Sequence, residues 1–347
     1  MTPALRIKSP GLSTTVQDLG RPGFQRLGVS PSGALDPVSL RAANVLVGNP
    51  GNFAALEAVY LGPTFTVEAD DARLAFVGAD AAIELFDDDD TDHGEPVAPL
   101  QSLRVRRGQV IRVGSLRNGA TLYVAVEGGF AIAPVLGSVS TDSRGRIGGW
   151  HGRPLVEGDV LPLRQASASV REEHRIEDLD LTAPRRFRAV LGPQNDHFTD
   201  DEIAQFFAGE YVVSAGSDRM GMRLQGRPIR HRHGFNIVSD AIASGSIQVP
   251  GSGQPIVLLA DHQTTGGYPK IATVISADLP AMGRVPIGSK ISFVPITVEA
   301  AATARRELLA VLERIEDKIL PVTPSPAAVA SRLWACNLIS GVCDAAV

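Results

Sequence analysis

Two cysteines, Cys336 and Cys343, are all that this 347-residue chain contains, and both fall near its end. A late pair does not make a disulfide framework, so a reduced, cytoplasmic protein is the simplest expectation. Zinc would need further ligands, and His262 lies far back in the sequence. No apolar run is long enough to span a bilayer. The segment Met1 to Lys8 lacks the apolar core of a secretion signal. There is no basic block and the net charge is -5, which disfavours nucleic acid as a partner.

Several chemical motifs are also missing. No G-x-S-x-G elbow occurs. Lys290 follows Ser289 instead of preceding it, which excludes a phosphate-binding P-loop around Gly283 to Lys290. No lysine is flanked by methionine as in a biotin attachment site, so biotin would have to arrive on another chain. The acids Asp87 to Asp90 and Asp92 do not have EF-hand spacing and read as a solvated turn. His231 and His233 alternate with Arg230 and Arg232, whose charge opposes a metal.

What the chain has is turn formers: 35 Gly and 24 Pro beside 44% hydrophobic residues. Short apolar runs at Phe65 to Glu68, Arg73 to Val77, Ala82 to Phe86, Val110 to Val113 and Thr121 to Val126 predict strands of a barrel or sandwich. Similar runs recur at Arg186 to Leu191, Tyr211 to Ser214, Ile247 to Val249, Ile256 to Leu259 and Lys290 to Val294. The charged stretch 164–184 is the best linker between two such units. Asp36-Pro37 starts one helix and Thr199-Asp-Asp-Glu202 another. Leu308, Leu312, Ile315 and Ile319 stripe a third, expected from Val298 to about Leu320 and ended by prolines 321, 324 and 326.

The most informative stretch is Ile256 to Thr273. A buried-strand pattern stops at Asp261-His-Gln263-Thr264-Thr265-Gly266-Gly267-Tyr268-Pro-Lys270, a polar cluster around a glycine pair. A turn alone would need only the glycines. Ser239, Asp240, Ser244 and Gln248 lie just ahead, and a hairpin between the two strands would bring Gln248 near Asp261. A second cluster, Asp18-Leu-Gly-Arg21, is either an anion site or a loop pinned by an acid–arginine pair. Arg219 and Arg223 read equally as anion binders or solvated arginines.

The motifs Thr14-Thr-Val-Gln-Asp-Leu-Gly-Arg21, Ser32-Gly-Ala-Leu-Asp36, Ala43-Asn-Val-Leu-Val-Gly-Asn49, Ser140-Thr-Asp142 and Ala260 to Lys270 follow one another in this order. Together they resemble the KipA family, which includes the C subunit of 5-oxoprolinase and allophanate hydrolase subunit 2. The same module resembles the first half of the carboxyltransferase domain of urea carboxylase. The resemblance runs from about residue 5 to residue 297. It departs from the family pattern at Ala281-Met-Gly-Arg284 and at Asp240, where glutamate is expected.

The resemblance implies a mainly β chain of two cyclophilin-like β-barrel domains, residues 1–172 and 173–297, with a few short helices and a C-terminal helix and tail, 298–347. It implies ATP-dependent opening of 5-oxoproline to glutamate, with magnesium, in company with two further chains, an A subunit, and a KipI-like B subunit. Little activity is then expected of the chain alone. Asp261, Lys270 and Arg21 become the catalytic candidates. Asp18, Gln248, Gln263, Thr264, Thr265, Gly266, Gly267 and Tyr268 become substrate-binding candidates, with no metal ligand. Two alternatives stay open: a biotin-dependent carboxyltransferase subunit, and a regulator that binds a KipI-like inhibitor of a histidine kinase.

Overall fold

A computed structural model describes residues 2–87 and 93–323. Asp88, Asp89, Asp90, Asp92, Pro324, Pro326, Cys336 and Cys343 lie outside the described residues. Nine strands form one sheet in the first part: β1 Ala4–Ser9, β2 Ser13–Gln17, β3 Ala55–Val59, β4 Thr64–Val67, β5 Asp71–Phe86, β6 Glu95–Pro96, β7 Ser102–Arg106, β8 Val110–Val126 and β9 Val160–Pro162. The long antiparallel pair β5 and β8 runs from Leu74↔Val126 to Phe86↔Val110, with irregularities near Gly78 and Ala81. Strand side chains alternate between faces. Leu74, Phe76, Leu122 and Val124 therefore enter one core with Leu5 and Phe65, whereas Ala75, Val77, Tyr123 and Ala125 enter another beneath helix α1, Pro37–Leu46. The Asp36 carboxylate accepts from the Val38 amide at 3.0 Å, as the N-cap reading expects.

The second part begins with β10 His174–Ile176 and β11 Arg186–Leu191. It continues through β12 Tyr211–Val213, β13 Gly221–Gln225, β14 Asp240–Ala241, β15 Ser246–Gln248, β16 Ile256–Leu258, β17 Thr265–Gly266, β18 Lys270–Val274, β19 Lys290–Pro295 and β20 Ile319–Pro321. Seven of these close a barrel in the order β11-β18-β15-β16-β13-β12-β19, sealed by parallel pairing of β11 with β19. Phe187, Ile247, Val257, Ile271 and Phe293 fill it. Helix α2, Asp200–Ala208, is capped by Thr199 and stacks Phe206 on Phe293. The fold is mainly β, with ring closure by backbone pairing in the second part and a single curved sheet in the first.

Two expectations change in detail. The charged stretch 164–184 is strapped down. Arg73, buried in the first sheet, gathers the carboxylates of Glu127 and Glu173 and the carbonyls of Ser169 and Arg171. After the short helix α3, Leu279–Gly283, comes helix α4, Val298–Glu313, which stops earlier than its apolar stripe suggests. A 3₁₀ turn follows, and β20 then pairs with β10. That long-range pairing satisfies the backbone groups that a longer helix would have used. The stripe still packs as a unit: Leu308, Leu312, Ile315 and Ile319 share the core beneath α1.

Candidate functional site

Two polar centres dominate the barrel and its junction with the first sheet. The first is the mouth formed by β15, β18 and the loops before them. Gln248 and Lys270 face each other across β15 and β18, where the register shifts between Ile247 and Gln248. Such an irregularity re-aims side chains. The Lys270 ammonium, 2% exposed, donates to Asp240 at 3.0 Å. The side chain of Gln194 donates to the same carboxylate oxygen at 3.0 Å and accepts from the Lys270 amide at 3.2 Å. The Lys270 hydrogen bond, then that of Gln194, holds the Asp240 carboxyl below its ordinary range. Gln248 accepts from Gln263 at 3.3 Å and donates to the Tyr268 carbonyl at 3.5 Å.

The first glycine of the pair has a steric reason here; a Cβ on Gly267 would meet nothing closer than 3.6 Å. Strand β17 lies against β14, and a Cβ on Gly266 would stand 2.5 Å from the Gln248 amide nitrogen. Thr264 and Gly267 accept through their carbonyls from Ile242 and Ile237. Tyr268 is 39% exposed. Gln248, Gln263, Thr264, Thr265, Gly266, Gly267, Tyr268 and Lys270 are thus placed around one mouth, together with Asp240 and Gln194.

Asp261 faces the other way. Its carboxylate takes a bidentate pair from Arg219 at 2.7 and 3.0 Å, rather than standing beside Gln248. Arg219 also donates to the Gly33 carbonyl at 2.6 Å and to Glu57. Glu57 is fully buried in β3 and accepts from the Tyr123 hydroxyl at 2.5 Å and the Leu35 amide at 2.8 Å. Burial opposes the Arg219 charge, but Asp261 and Glu57 outweigh it and raise its pKa. Burial, then the charges of Glu57 and Asp36, holds the Tyr123 phenol protonated well above its usual range. Arg284 makes a parallel link, donating to Asp36 at 2.9 Å. Two arginines of the second part therefore meet two buried acids of the first, Glu57 on β3 and Asp36 at the start of α1. A cavity of about 440 Å³ opens beside them, walled by Leu35, Met220, Met222 and Met282 with Arg219 and Asp261.

Glu57, Tyr123 and Arg284 were not among the sequence candidates. Glu57 left a readable trace, a carboxylate within the apolar run Ala55-Leu-Glu-Ala-Val59, because such an acid needs a buried partner.

Asp18 and Arg21 hold the loops of the first sheet. The Asp18 carboxylate accepts from the Gly20 and Val139 amides and the Ser138 and Ser140 hydroxyls, all at 2.6–2.8 Å. Arg21 is 1% exposed and donates to the Ser140 carbonyl, while its Nη1 has no hydrogen-bond partner among the described residues. Burial pulls its pKa down against the charges of Asp18, Asp142 and Asp261. Gly20 and Gly33, both at positive φ, let the two loops touch, since a Cβ on Gly20 would lie 2.6 Å from two carbonyls. From there Ser30 and the Ser32 amide reach the Ala260 carbonyl at 3.0 Å. The Arg21 loop thus seats the loop before Asp261 without a hydrogen bond from Arg21 to Lys270.

Chemically, the mouth offers a buried ammonium, amide donors and acceptors, and hydroxyls. Among the described residues no three His, Cys, Asp or Glu groups stand together, and no helix is long and apolar enough to cross a membrane.

The family described as carboxyltransferase domain, subdomain A and B, matches residues 27–295. The chain is 38% identical over 305 residues to the C subunit of 5-oxoprolinase from Haemophilus influenzae, covering 87% of this chain and 94% of that protein. To the C subunit of 5-oxoprolinase from Escherichia coli it is 39% identical over 304 residues, with the same coverage. Urea amidolyase of Saccharomyces cerevisiae is 31% identical over 322 residues, 87% of this chain and 17% of that protein. Among solved structures, TTHA0988 superimposes with a TM-score of 0.74 at 38% identity, covering 84% of this chain and 56% of that one. The urea amidolyase of K. lactis does so with a TM-score of 0.80 at 29% identity, covering 94% of this chain and 21% of that one.

Proposed function

The chain belongs to the carboxyltransferase subdomain A and B family, and from that premise we propose that it is the C subunit of a cytoplasmic, ATP-dependent 5-oxoprolinase. The observation that carries this reading is its 38–39% identity to two proteins named as C subunits of 5-oxoprolinase, across 94% of their length. The mouth around Lys270 has the chemistry that the reaction needs. Amide resonance makes a lactam carbonyl a poor electrophile, and phosphorylation of its oxygen by ATP supplies a leaving group. Such a step calls for a cation or amide donors at the phosphoryl oxygens. Lys270 supplies the cation, held by Asp240 and Gln194. Gln248, Gln263, Thr264, Thr265 and Tyr268 orient the ring and its carboxylate. Asp18, Arg21 and Asp261 act through the loops they hold. Magnesium in this reading would enter with the nucleotide, bound largely by phosphate and water.

The partners in this reading are an A subunit, and a KipI-like B subunit, which complete the site. The test is reconstitution with those two chains. ATP hydrolysis that depends on 5-oxoproline is expected of the assembly, and little of the chain alone. Full turnover by the chain alone, or partner binding without turnover, would sink the reading. Lys270→Ala should lower the rate of the assembly by about a hundredfold, the usual cost of one such electrostatic contact. Partner binding should hold, because Asp240 is half exposed and is left hydrated. The cavity left by the buried lysine stem should lower the melting temperature, and Lys270→Met, which refills it, should share the rate loss.

A second reading has one observation in its favour, the superposition on urea amidolyase over 94% of the chain. In it the chain transfers a carboxyl group from biotin carried elsewhere. Carboxylation of a urea-like amide by the assembly on adding a biotinylated carrier, with no 5-oxoproline turnover, would favour it.

A further inference from the structure

Four residues after Asp240, in the turn between β14 and β15, the Ser244 hydroxyl lies 3.0 Å from Nε2 of His262. Nδ1 of the same ring lies 2.6 Å from the Gln263 carbonyl oxygen. A carbonyl only accepts, so Nδ1 carries the proton. Nε2 is then a lone pair, and the hydroxyl is the donor. The ring is fully buried, while Ser244 is partly exposed, at the opposite end of β15 from Gln248. Burial lowers the His262 pKa and favours the neutral imidazole. Nucleophile, base and orienting acceptor thus stand in hydrogen-bonded order, the arrangement by which a serine hydroxyl is activated.

We propose that Ser244 and His262 are a nucleophile–base pair that takes up the acyl carbon of the substrate. Its chemical role rests on the 5-oxoprolinase reading above. With the lactam phosphorylated on oxygen, the Ser244 Oγ–C bond forms and the bond from carbon to the phosphate oxygen breaks. The hydroxyl proton passes to Nε2 and leaves with the phosphate. One water opens the resulting cyclic imidate to a serine ester with a free amine, and a second cleaves the ester to the acid and restores the hydroxyl. Strand β17 and the Ile242–Thr264 rung hold this turn against the loop that ends at Lys270.

The test is covalent labelling of the full chain with a fluorophosphonate, read by peptide mass. The Oγ–P bond forms, the P–F bond breaks, and the proton goes to His262. The adduct is expected on Ser244 and absent from Ser244→Ala. His262→Gln should slow labelling by roughly a hundredfold, the contribution of a positioned base. No adduct on Ser244, or equal labelling of Ser244→Ala, overturns the pair. Should His262→Gln fail to fold, Ser244→Ala still decides. Labelling needs no lactam turnover, so an adduct on Ser244 in an assembly that leaves 5-oxoproline intact upholds the activated serine and overturns the reaction class instead.

Discussion

Arg219 touches Asp261, Glu57 and Gly33 with one guanidinium, a use for which its planar fork suits it. Arg219→Ala would leave two carboxylates, 0% and 7% exposed, without a counter-charge. The expected loss is about 3–5 kcal/mol, measured by urea unfolding. Arg219→Lys should recover only part of it, because an ammonium cannot span the three acceptors. A loss below about 1 kcal/mol for Arg219→Ala would mean that the triad is hydrated.

His262 gives a pH-dependent test. Burial lowers its pKa in the fold, against the Gln263 carbonyl and the Asp261 charge, whereas the unfolded chain takes up the proton near 6.5. The unfolded state therefore binds more protons below that pH. The stability linked to His262 is complete above pH 6.5 and is lost as pH falls through the folded pKa. His262→Gln should show a smaller fall in melting temperature than the parent between about pH 7.5 and about pH 5.5. An equal fall in both would show that this imidazole is hydrated in the fold.

At the scale of elements, helix starts were legible and one helix end was not. Asp36 and Thr199 announce their helices because capping is local, a side chain reaching an amide two or three residues on. The end of α4 depends on β20 finding β10, where Leu320 pairs with Arg175, and no local period records that. The joint matters energetically: Ile315, 1% exposed, sits where the 3₁₀ turn meets the core beneath α1. Ile315→Ala should cost about 2–5 kcal/mol in urea unfolding. A change under about 1 kcal/mol would show that the segment after α4 docks without contributing to the fold.

For the whole molecule, Arg219 and Arg284 of the second part grip Glu57 on β3 and Asp36 at the start of α1. Each arginine is the counter-charge of a buried acid across the junction, so removing one strands its partner out of water. Thermal unfolding should be a single cooperative transition in the parent. The double variant Arg219→Ala, Arg284→Ala should resolve into two calorimetric transitions. One transition at a lower temperature would show that apolar contacts alone couple the halves.

The amino-acid sequence by itself determined the mainly β class, the helix caps, the apolar stripe of α4 and the polar grouping from Gln248 to Lys270. These rest on periodicity, capping and neighbouring strands, which act over short stretches of chain. The tertiary structure alone decided which acid meets which arginine. Asp261 and Lys270 stand in one motif, yet they face different centres, because the chain turns between β16 and β18. Glu57 and Arg219 are 162 positions apart and meet only because two sheets dock. His262 reads as an unremarkable ring until the turn holding Ser244 folds against it. Burial and long-range docking set these partners, and neither leaves a local spacing to read.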